Sequence, residues 1–600
     1  MTSSTSLRTL LLQLFRHISL RRRRQLLLLL GLTLVSSLAE VVNLGAVLPL
    51  IGVLTQPEKI FSAPMIAGVI RALGIGSPAD LVLPIIVAFA IATVAAGGLR
   101  LLLLWGSIRI VKAIGADLSI EVYRRTLYQP YHIHVARNSS EIISGISQKV
   151  GDVTGILTSL VAVFTSIALC GTILITLLAI DPIVATIAMI CFGSSYVILA
   201  WRTHHKLLRN SQCIAQEQTQ VVKSLQEGLG AIRDVLLDGT QAIYCGIYRK
   251  AIQQLQRATA EIIYISQAPR YVMETMGMVL IAILALVFSH RPGGVAMAVP
   301  VLGALALGAQ RLLPLLQQLY TGWTNIIGSH AALIDVMDLL NQPLPEHAHR
   351  LAPAPLALQK TIQFDNVCFH YDAQGPWVLD GINLTIPKGV RMGFIGTTGS
   401  GKSTALDLMM SLLEPTKGHI LVDGQPIDDQ LRQAWQLAIA HVPQSIFLSD
   451  ATIAENIAFG VQPDQIDMDR VHLAANQAQI AEFIENRPEG YNAFVGERGI
   501  RLSGGQRQRI GIARALYKQA TVLIFDEATS ALDNATEQAV MDAIEGFNRD
   551  LTILIIAHRL TTVRRCDTII ELKYGKVIAQ GTYEHLLEYS PSFRNMSLAV

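Results

Sequence analysis

Charge and cysteine are both scarce in this chain. Only 16% of its 600 residues are charged while 51% are hydrophobic, and the mean hydropathy is +0.42. That is too apolar for an ordinary soluble multidomain protein and leaves a membrane protein as the better reading. The formal net charge of +3 gives no ground for a nucleic-acid partner. Cys170, Cys191, Cys213, Cys245, Cys368 and Cys566 are scattered, with no C-x-x-C pair and no histidine at metal-ligand spacing. This points to reducing surroundings and to no metal site in the protein itself. His204 and His205 are adjacent at an expected membrane exit and read as polar interface residues.

What the chain does have is apolar length. Stretches at 26–54, 81–105, 153–180, 182–201, 271–288 and 295–320 are each long enough to cross about 30 Å of hydrocarbon. The first follows Arg21–Arg24, but it exceeds the apolar core of a secretory signal, about 7 to 15 residues, so it reads as a first transmembrane helix. Lys112, Arg124, Arg125 and Arg137, then Lys206, Arg209, Lys223, Arg233, Arg249, Lys250 and Arg257, fall in two connections that the positive-inside rule places in the cytoplasm. These connections are rich in Gln, Glu, Ala and Leu, which predicts long helices projecting from the membrane. Between the first two spans, Ile60, Phe61, Met65, Ile66, Val69, Ile70 and Leu73 recur at three- to five-residue steps. Both an amphipathic helix on the outer membrane face and a plain connector fit that pattern.

Ionisable residues inside apolar spans are costly and mark candidate sites. Here they are Glu40, Arg100, Glu274 and Arg311, with Arg270 close by. Arg100, Arg270 and Arg311 all fall toward the cytoplasmic ends, so a cavity there can present several cations to a phosphate or pyrophosphate head group. The competing arrangement has Arg100 and Arg270 snorkelling to the interface and Arg311 pairing with Glu40 or Glu274.

Prolines 343, 345, 353 and 355 mark a linker. Beyond it, short apolar strands alternate with helices as in an α/β domain. The strand expected at 391–395 runs into Gly396, Thr397, Thr398, Gly399, Ser400, Gly401, Lys402 and Ser403, followed by a helix expected over 404–413. This is the phosphate-binding loop G-x-x-x-x-G-K-[ST] in its required strand-to-helix context. Glycines let the backbone approach the phosphates, Lys402 reaches the outer ones, and Ser403 can ligate magnesium. One such motif arises by chance in roughly a few per cent of chains this long, and a second, Leu502, Ser503, Gly504, Gly505 and Gln506, makes coincidence on the order of a thousandfold rarer.

The pair of motifs resembles the nucleotide-binding domain of ABC transporters, in which the second stretch is the signature motif. The resemblance implies that Tyr371 stacks on adenine, that Thr404 and Gln444 join the ATP site, and that Gln444 and Asp526 with Ser403 serve Mg2+. It further implies that Glu527 polarises the attacking water, that His558 is the switch histidine, and that Ser530, Ala531, Leu532 and Asp533 form the loop through which two such domains communicate. Val495-Gly496-Glu497-Arg498-Gly499 resembles a loop typical of exporters. Coupling helices, by the same resemblance, fall near 126–138 and 232–241.

The expected fold class is multidomain: a six-helix transmembrane domain at 1–340, a linker at 341–358 and an α/β P-loop ATPase domain at 359–600. In this family the signature motif completes the partner's ATP site. The resemblance therefore implies a homodimer in the cytoplasmic membrane, multi-pass, with both termini and the ATPase domain in the cytoplasm. Thr397-Thr398, the external segment and Ala39-Glu40-Val41-Val42-Asn43-Leu44-Gly45 look like lipid-linked oligosaccharide flippases of the PglK type and related polysaccharide or glycolipid exporters. ATP-driven flipping of a lipid-linked saccharide or glycolipid is the preferred expectation. An exporter of lipids or hydrophobic drugs, and an ATP-gated membrane regulator that transports nothing, are the alternatives.

Overall fold

The structure, a computed structural model, describes residues 6–55, 82–180, 182–289, 294–345, 348, 352–372, 374–527, 534–545, 551–557 and 560–598. The amphipathic segment expected at 60–73 lies outside them. The chain divides into two compact units, Met1–Gln129 with His134–Leu344, and Pro130–Ile133 with Pro345–Val600.

Among the described residues the first unit carries six long helices: α1 (Leu20–Thr55), α2 (Val82–Leu127), α3 (Val150–Ile180), α4 (Pro182–Gly230), α5 (Gln241–Ser289) and α6 (Gly294–Gly328). Three stretches among the described residues are long and apolar enough to cross a membrane: Leu20–Asn43, Val82–Leu127 and Ser139–Ile175. At 1.5 Å per residue, the 49-residue helices α4 and α5 each reach about 74 Å, more than twice a hydrocarbon core. Helix α1 packs along α2, α3 along α6, and α5 along both α4 and α6. Short helices at Tyr131–Ala136 and Ile232–Leu237 sit within the two connections read as cytoplasmic.

Two features of this unit depend on partners far apart in sequence. Lys149 is 5% exposed and closes a π-helical turn, Gly145–Lys149. It donates to Asp335 at 2.5 Å and to Thr219 at 3.0 Å, which makes its burial tolerable. Arg125 donates to Glu121 at 2.6 Å and to the carbonyls of Leu340 and Gln342 at 2.6 and 2.8 Å, fixing the end of α2 against the chain's exit from this unit.

The second unit holds two sheets. Strands β1 (Thr361–Phe369), β2 (Leu379–Pro387), β4 (Lys417–Val422) and β5 (Gln425–Pro426) form an antiparallel sheet in the order β2-β1-β4-β5. The other sheet uses β3 (Arg391–Ile395), β6 (Ile439–Val442), β7 (Val522–Asp526), β8 (Thr552–Ile556), β9 (Thr568–Lys573) and β10 (Lys576–Gly581), ordered β10-β9-β3-β8-β7-β6. All its pairs are parallel except β9 with β10. Parallel strands covered on both faces read as unbroken apolar runs. Accordingly Met392–Ile395, Val522–Phe525 and all of β8 are buried.

Helix α7 (Lys402–Met409) follows the phosphate loop. It starts at Lys402 and stops at Met410, before the left-handed Ser411 at φ 52°. Trp435, fully buried, donates its indole N–H to the Met409 carbonyl at 2.7 Å and fixes the far end of α7.

Asp407 on α7 is pushed up to about 6, first by burial and then by the charge of Asp526. A carboxyl raised above its ordinary value of about 3.9 is favoured by the fold in its neutral form, so its stabilising share is complete below that value and is lost as pH rises through about 6. Asp407→Asn is therefore expected to raise the stability of this unit by about 1–2 kcal/mol at pH 7.5, with the gain fading toward pH 4. Thermal unfolding of the native and variant chains across that range checks it; a gain that does not depend on pH would reject the assignment.

Candidate functional site

Strand β3 ends at Ile395 and the chain turns at Gly396, where φ is 145°. A Cβ there would collide with the Leu572 carbonyl oxygen on β9, so only glycine lets the loop leave the sheet at this point. Thr397, Thr398 and Gly399 are exposed and Ser400 is buried. Gly401, at φ 99°, occupies the N-cap of α7. The backbone N–H groups of Lys402, Ser403 and Thr404 open the helix with no partner in a preceding turn, at its positive end.

Lys402 is 6% exposed, and its ammonium donates to the carbonyls of Gly396 at 2.8 Å and Thr397 at 3.2 Å. Burial lowers its pKa, and the charges of Glu527 and Asp526 pull it back up. Ser400 Oγ is buried with no hydrogen-bond partner among the described residues, a polar orphan at the loop that an anionic ligand can satisfy. Tyr371 presents a ring that is 58% exposed, while its hydroxyl meets Thr404 Oγ1 at 3.2 Å and Phe369 packs against it edge-on at 5.0 Å. An exposed, braced aromatic face of this kind can stack on a nucleobase.

The carboxylates sit at the same edge of the sheet. Because β3, β8, β7 and β6 run parallel, the residues after their C-terminal ends are gathered where open α/β sheets hold ligands. Asp526 ends β7 half-buried, and Glu527 follows in the left-handed region at φ 50°, its N–H donating to the Ile556 carbonyl at 3.1 Å. A non-glycine residue there stores about 1–3 kcal/mol of strain, a mark of functional positions. Gln444, just beyond β6, donates Nε2–H to Glu527 Oε2 at 2.7 Å. The structure thus brings Gln444, Glu527, Asp526 and Lys402 together.

Ser403, Gln444 and Asp526 offer a hydroxyl, an amide oxygen and a carboxylate. These are hard oxygen donors of the kind that hold Mg2+ together with water and nucleotide phosphates, and one acidic ligand beside the phosphates is enough. Ser530–Asp533 and His558 lie outside the described residues.

The signature stretch opens helix α8 (Gly504–Tyr517). Ser503 caps it: its Oγ accepts from Gln506 N at 3.3 Å, while Gln506 Oε1 accepts from Ser503 N at 2.8 Å, a reciprocal capping box. Leu502 is buried beneath the turn. These hydrogen bonds close on the start of the helix itself, where the N–H groups of Gly504 and Gly505 have no partner in a preceding turn.

A clamp was missed in the sequence. Asn456, fully buried, accepts from Ser449 N at 3.0 Å and donates to the Ser449 and Thr452 carbonyls, both at 3.0 Å. Arg514 on α8 donates to the carbonyls of Phe447 at 3.0 Å and Asn456 at 2.9 Å, and burial lowers its pKa to about 10. The segment after Gln444 is thereby tied to the helix that carries the signature. The only signal in the sequence is an arginine among Ile510, Ile512, Ala513 and Ala515.

Comparison with known proteins follows the same division of the chain. Residues 34–291 match the family model of the ABC transporter transmembrane region, and residues 379–530 that of the ABC transporter. The chain is similar to the ATP-dependent lipid A-core flippase of Chromohalobacter salexigens, 31% identical over 477 residues covering 78% of this chain and 80% of that one. Similarity to the protein of the same name from Cupriavidus pinatubonensis is 31% over 504 residues, with the same two coverages. The match to its namesake in Alkalilimnicola ehrlichii is 39% over 285 residues and spans about half that relative, 48%. Among solved structures, a bacterial Atm1-family ABC exporter with ATP bound superposes with a TM-score of 0.76 at 26% identity, covering 93% of this chain and 97% of that one. With a helical membrane region and a P-loop ATPase region on one polypeptide, the chain belongs to the ABC transporter family, as a half-transporter of the exporter type.

Proposed function

We propose that the chain is an ATP-driven flippase that moves a lipid-linked saccharide or glycolipid across the cytoplasmic membrane as a homodimer. The observation that carries the ATP-driven part is Glu527 held by Gln444 at 2.7 Å, at the sheet edge shared with the phosphate loop, on a polypeptide that also carries helices long enough to span a membrane. The lipid part rests on relatives named as lipid A-core flippases and on the oligosaccharide-flippase resemblance of the motifs.

In this reading the backbone N–H groups of 402–404 and the Lys402 ammonium bind the outer phosphates, and Tyr371 orients the base. Ser403, Gln444 and Asp526 would hold Mg2+, which when bound would supply neutralising charge at the phosphates. Glu527 accepts a proton from the attacking water, as general base, once Gln444 releases it. His558 contacts the outer phosphate, and Ser530–Asp533 face the second copy. Ser503 and Gly504 of one copy cap the phosphate held by Lys402 of the other, so neither copy hydrolyses ATP alone. In this reading the chain crosses the membrane six times with both termini and the ATPase region in the cytoplasm, and Arg100, Arg270 and Arg311 are the candidate head-group contacts.

Glu527→Gln should lower ATP hydrolysis by about 10²–10⁴-fold while nucleotide binding persists. Phosphate release and nucleotide-binding measurements on the purified chain check this, and hydrolysis at native rate would remove Glu527 from the chemistry.

The two-copy site makes a sharper prediction. Lys402→Ala and Ser503→Arg chains should each be inactive alone, yet a mixture should recover hydrolysis, because a mixed dimer keeps one site with both residues intact. No recovery on mixing, with dimers formed, would argue that each chain completes its own site.

For transport, a polyprenyl-pyrophosphate-linked saccharide should cross proteoliposomes only with ATP and only with Glu527 intact. ATP consumption without lipid movement would keep the transporter and remove the saccharide-lipid substrate.

A further inference from the structure

Between α4, α5 and α6 lies a cavity of about 180 Å³ lined by Tyr196, Arg270, Met273, Glu274, Leu313, Pro314 and Gln317. The apolar stretches at 182–201, 271–288 and 295–320 place all of these toward the cytoplasmic ends of their helices, the level at which lipid head groups of the inner leaflet lie. Pockets that take a whole drug-sized ligand run to about 300–1,000 Å³, so this one admits a single ring and not a lipid.

Its charge is already compensated. Arg270 Nε donates to Glu274 Oε1 at 2.8 Å, and Arg100 is likewise ion-paired with Glu40. A phosphate arriving at Arg270 would have to displace a carboxylate held one helical turn away on the same helix, so the pair offers an anion little net attraction. What it does offer is a donor beside an acceptor: the remaining guanidinium N–H groups and the second carboxylate oxygen. Adjacent sugar hydroxyls, each both donor and acceptor, match that arrangement.

The rest of the lining is rigid and amphipathic. Gln317 is locked, donating to the Ser266 carbonyl at 2.7 Å and to Thr321 Oγ1 at 3.2 Å while accepting from the Tyr196 hydroxyl at 3.1 Å. Tyr196 is only 8% exposed, braced by the Tyr320 ring at 5.6 Å. Its ring, with Met273, Leu313 and Pro314, supplies apolar surface for the C–H face of a pyranose, and preorganisation of this kind reduces the entropy lost on binding.

We propose that this pocket binds one uncharged sugar ring of the transported lipid's head group, with the Arg270–Glu274 pair reading its hydroxyls; this rests on the flippase reading above. Selection here is by hydroxyl pattern and not by head-group charge.

The test uses the full chain in phosphatidylcholine proteoliposomes with three probes of equal chain length: monoglucosyl diacylglycerol, diacylglycerol and phosphatidic acid. ATP-dependent translocation and stimulation of ATP hydrolysis are followed against probe concentration. The native chain should respond to the glucosyl lipid at the lowest concentration. Arg270→Gln combined with Glu274→Gln should raise the half-maximal concentration for the glucosyl lipid about tenfold, as expected for losing one or two charge-assisted hydrogen bonds, and leave that for diacylglycerol in place. Glu274→Gln alone uncovers the Arg270 charge and should shift preference toward phosphatidic acid, an effect that simple damage to packing would not produce. A native chain that prefers phosphatidic acid, or a double variant that handles the glucosyl lipid as the native chain does, overturns the sugar pocket and leaves the flippase reading standing. If ATP is consumed and none of the three lipids crosses, the pocket assignment falls, and the flippase reading is decided by the assay with the polyprenyl-pyrophosphate-linked saccharide.

Discussion

The nucleotide site depends on one close approach of backbone to backbone. Gly396 lies against the Leu572 carbonyl of β9, and β9 pairs with β3 in parallel from Met392 opposite Thr568 to Ile395 opposite Glu571. The curvature of the phosphate loop is therefore set by a strand that arrives late in the chain. The turn after β9 completes the support: Gly575 N donates to the Ser400 carbonyl at 3.2 Å, and the Gly575 carbonyl accepts from Asp380 N at 2.9 Å. The loop is held from the central sheet on one side and from the antiparallel sheet on the other. Donors fixed in this way need no rearrangement when a phosphate arrives, which is the condition for strong electrostatic stabilisation.

The chemistry is gated by a second set of contacts built on that frame. Gln444 donates to the Glu527 carboxylate, so in the proposed role of Glu527 as general base that group is engaged until the segment after β6 moves. That segment is not free to move alone, because Arg514 and Asn456 bind it to α8 at Phe447, Ser449 and Thr452. The segment that follows Gln444 and the helix that opens at Gly504 are thus joined by direct hydrogen bonds. Buried networks in which every member has a partner give such rigid linkage.

What the sequence disclosed follows from where the information is local. Strands buried on both faces appear as apolar runs, so Arg391–Ile395 and Val522–Asp526 were readable directly, and the glycine spacing of the loop announces its own conformation. Helix α7 was expected over 404–413 and instead spans Lys402–Met409, since its start is set by Gly401 and its end by Ser411 in the left-handed region, neither of which shows in periodicity. The contacts that were missed join residues far apart: Lys149 with Asp335, Arg125 with the carbonyls at 340 and 342, Arg514 with Phe447. An isolated lysine or arginine in an apolar stretch signals only that a partner exists, and its identity is fixed by the fold.

The two units treat their cations in opposite ways, and the contrast bears on what each can recognise. In the first unit Arg100 has Glu40, Arg270 has Glu274 and Lys149 has Asp335. An unpaired charge in an apolar bundle would cost several kcal/mol, so pairing is the condition for keeping such residues there at all. Once paired, the groups discriminate through the directions of their remaining hydrogen bonds more than through net charge. In the second unit Lys402 is as buried as Lys149, but its hydrogen bonds go to carbonyls of its own loop, neutral acceptors that a phosphate oxygen readily outcompetes. On the proposed reading, the same residue chemistry makes an anion site where the partner is a carbonyl and a polyol site where the partner is a carboxylate. Energy input and cargo selection can then reside on one polypeptide without the phosphates of the fuel competing for the site of the cargo.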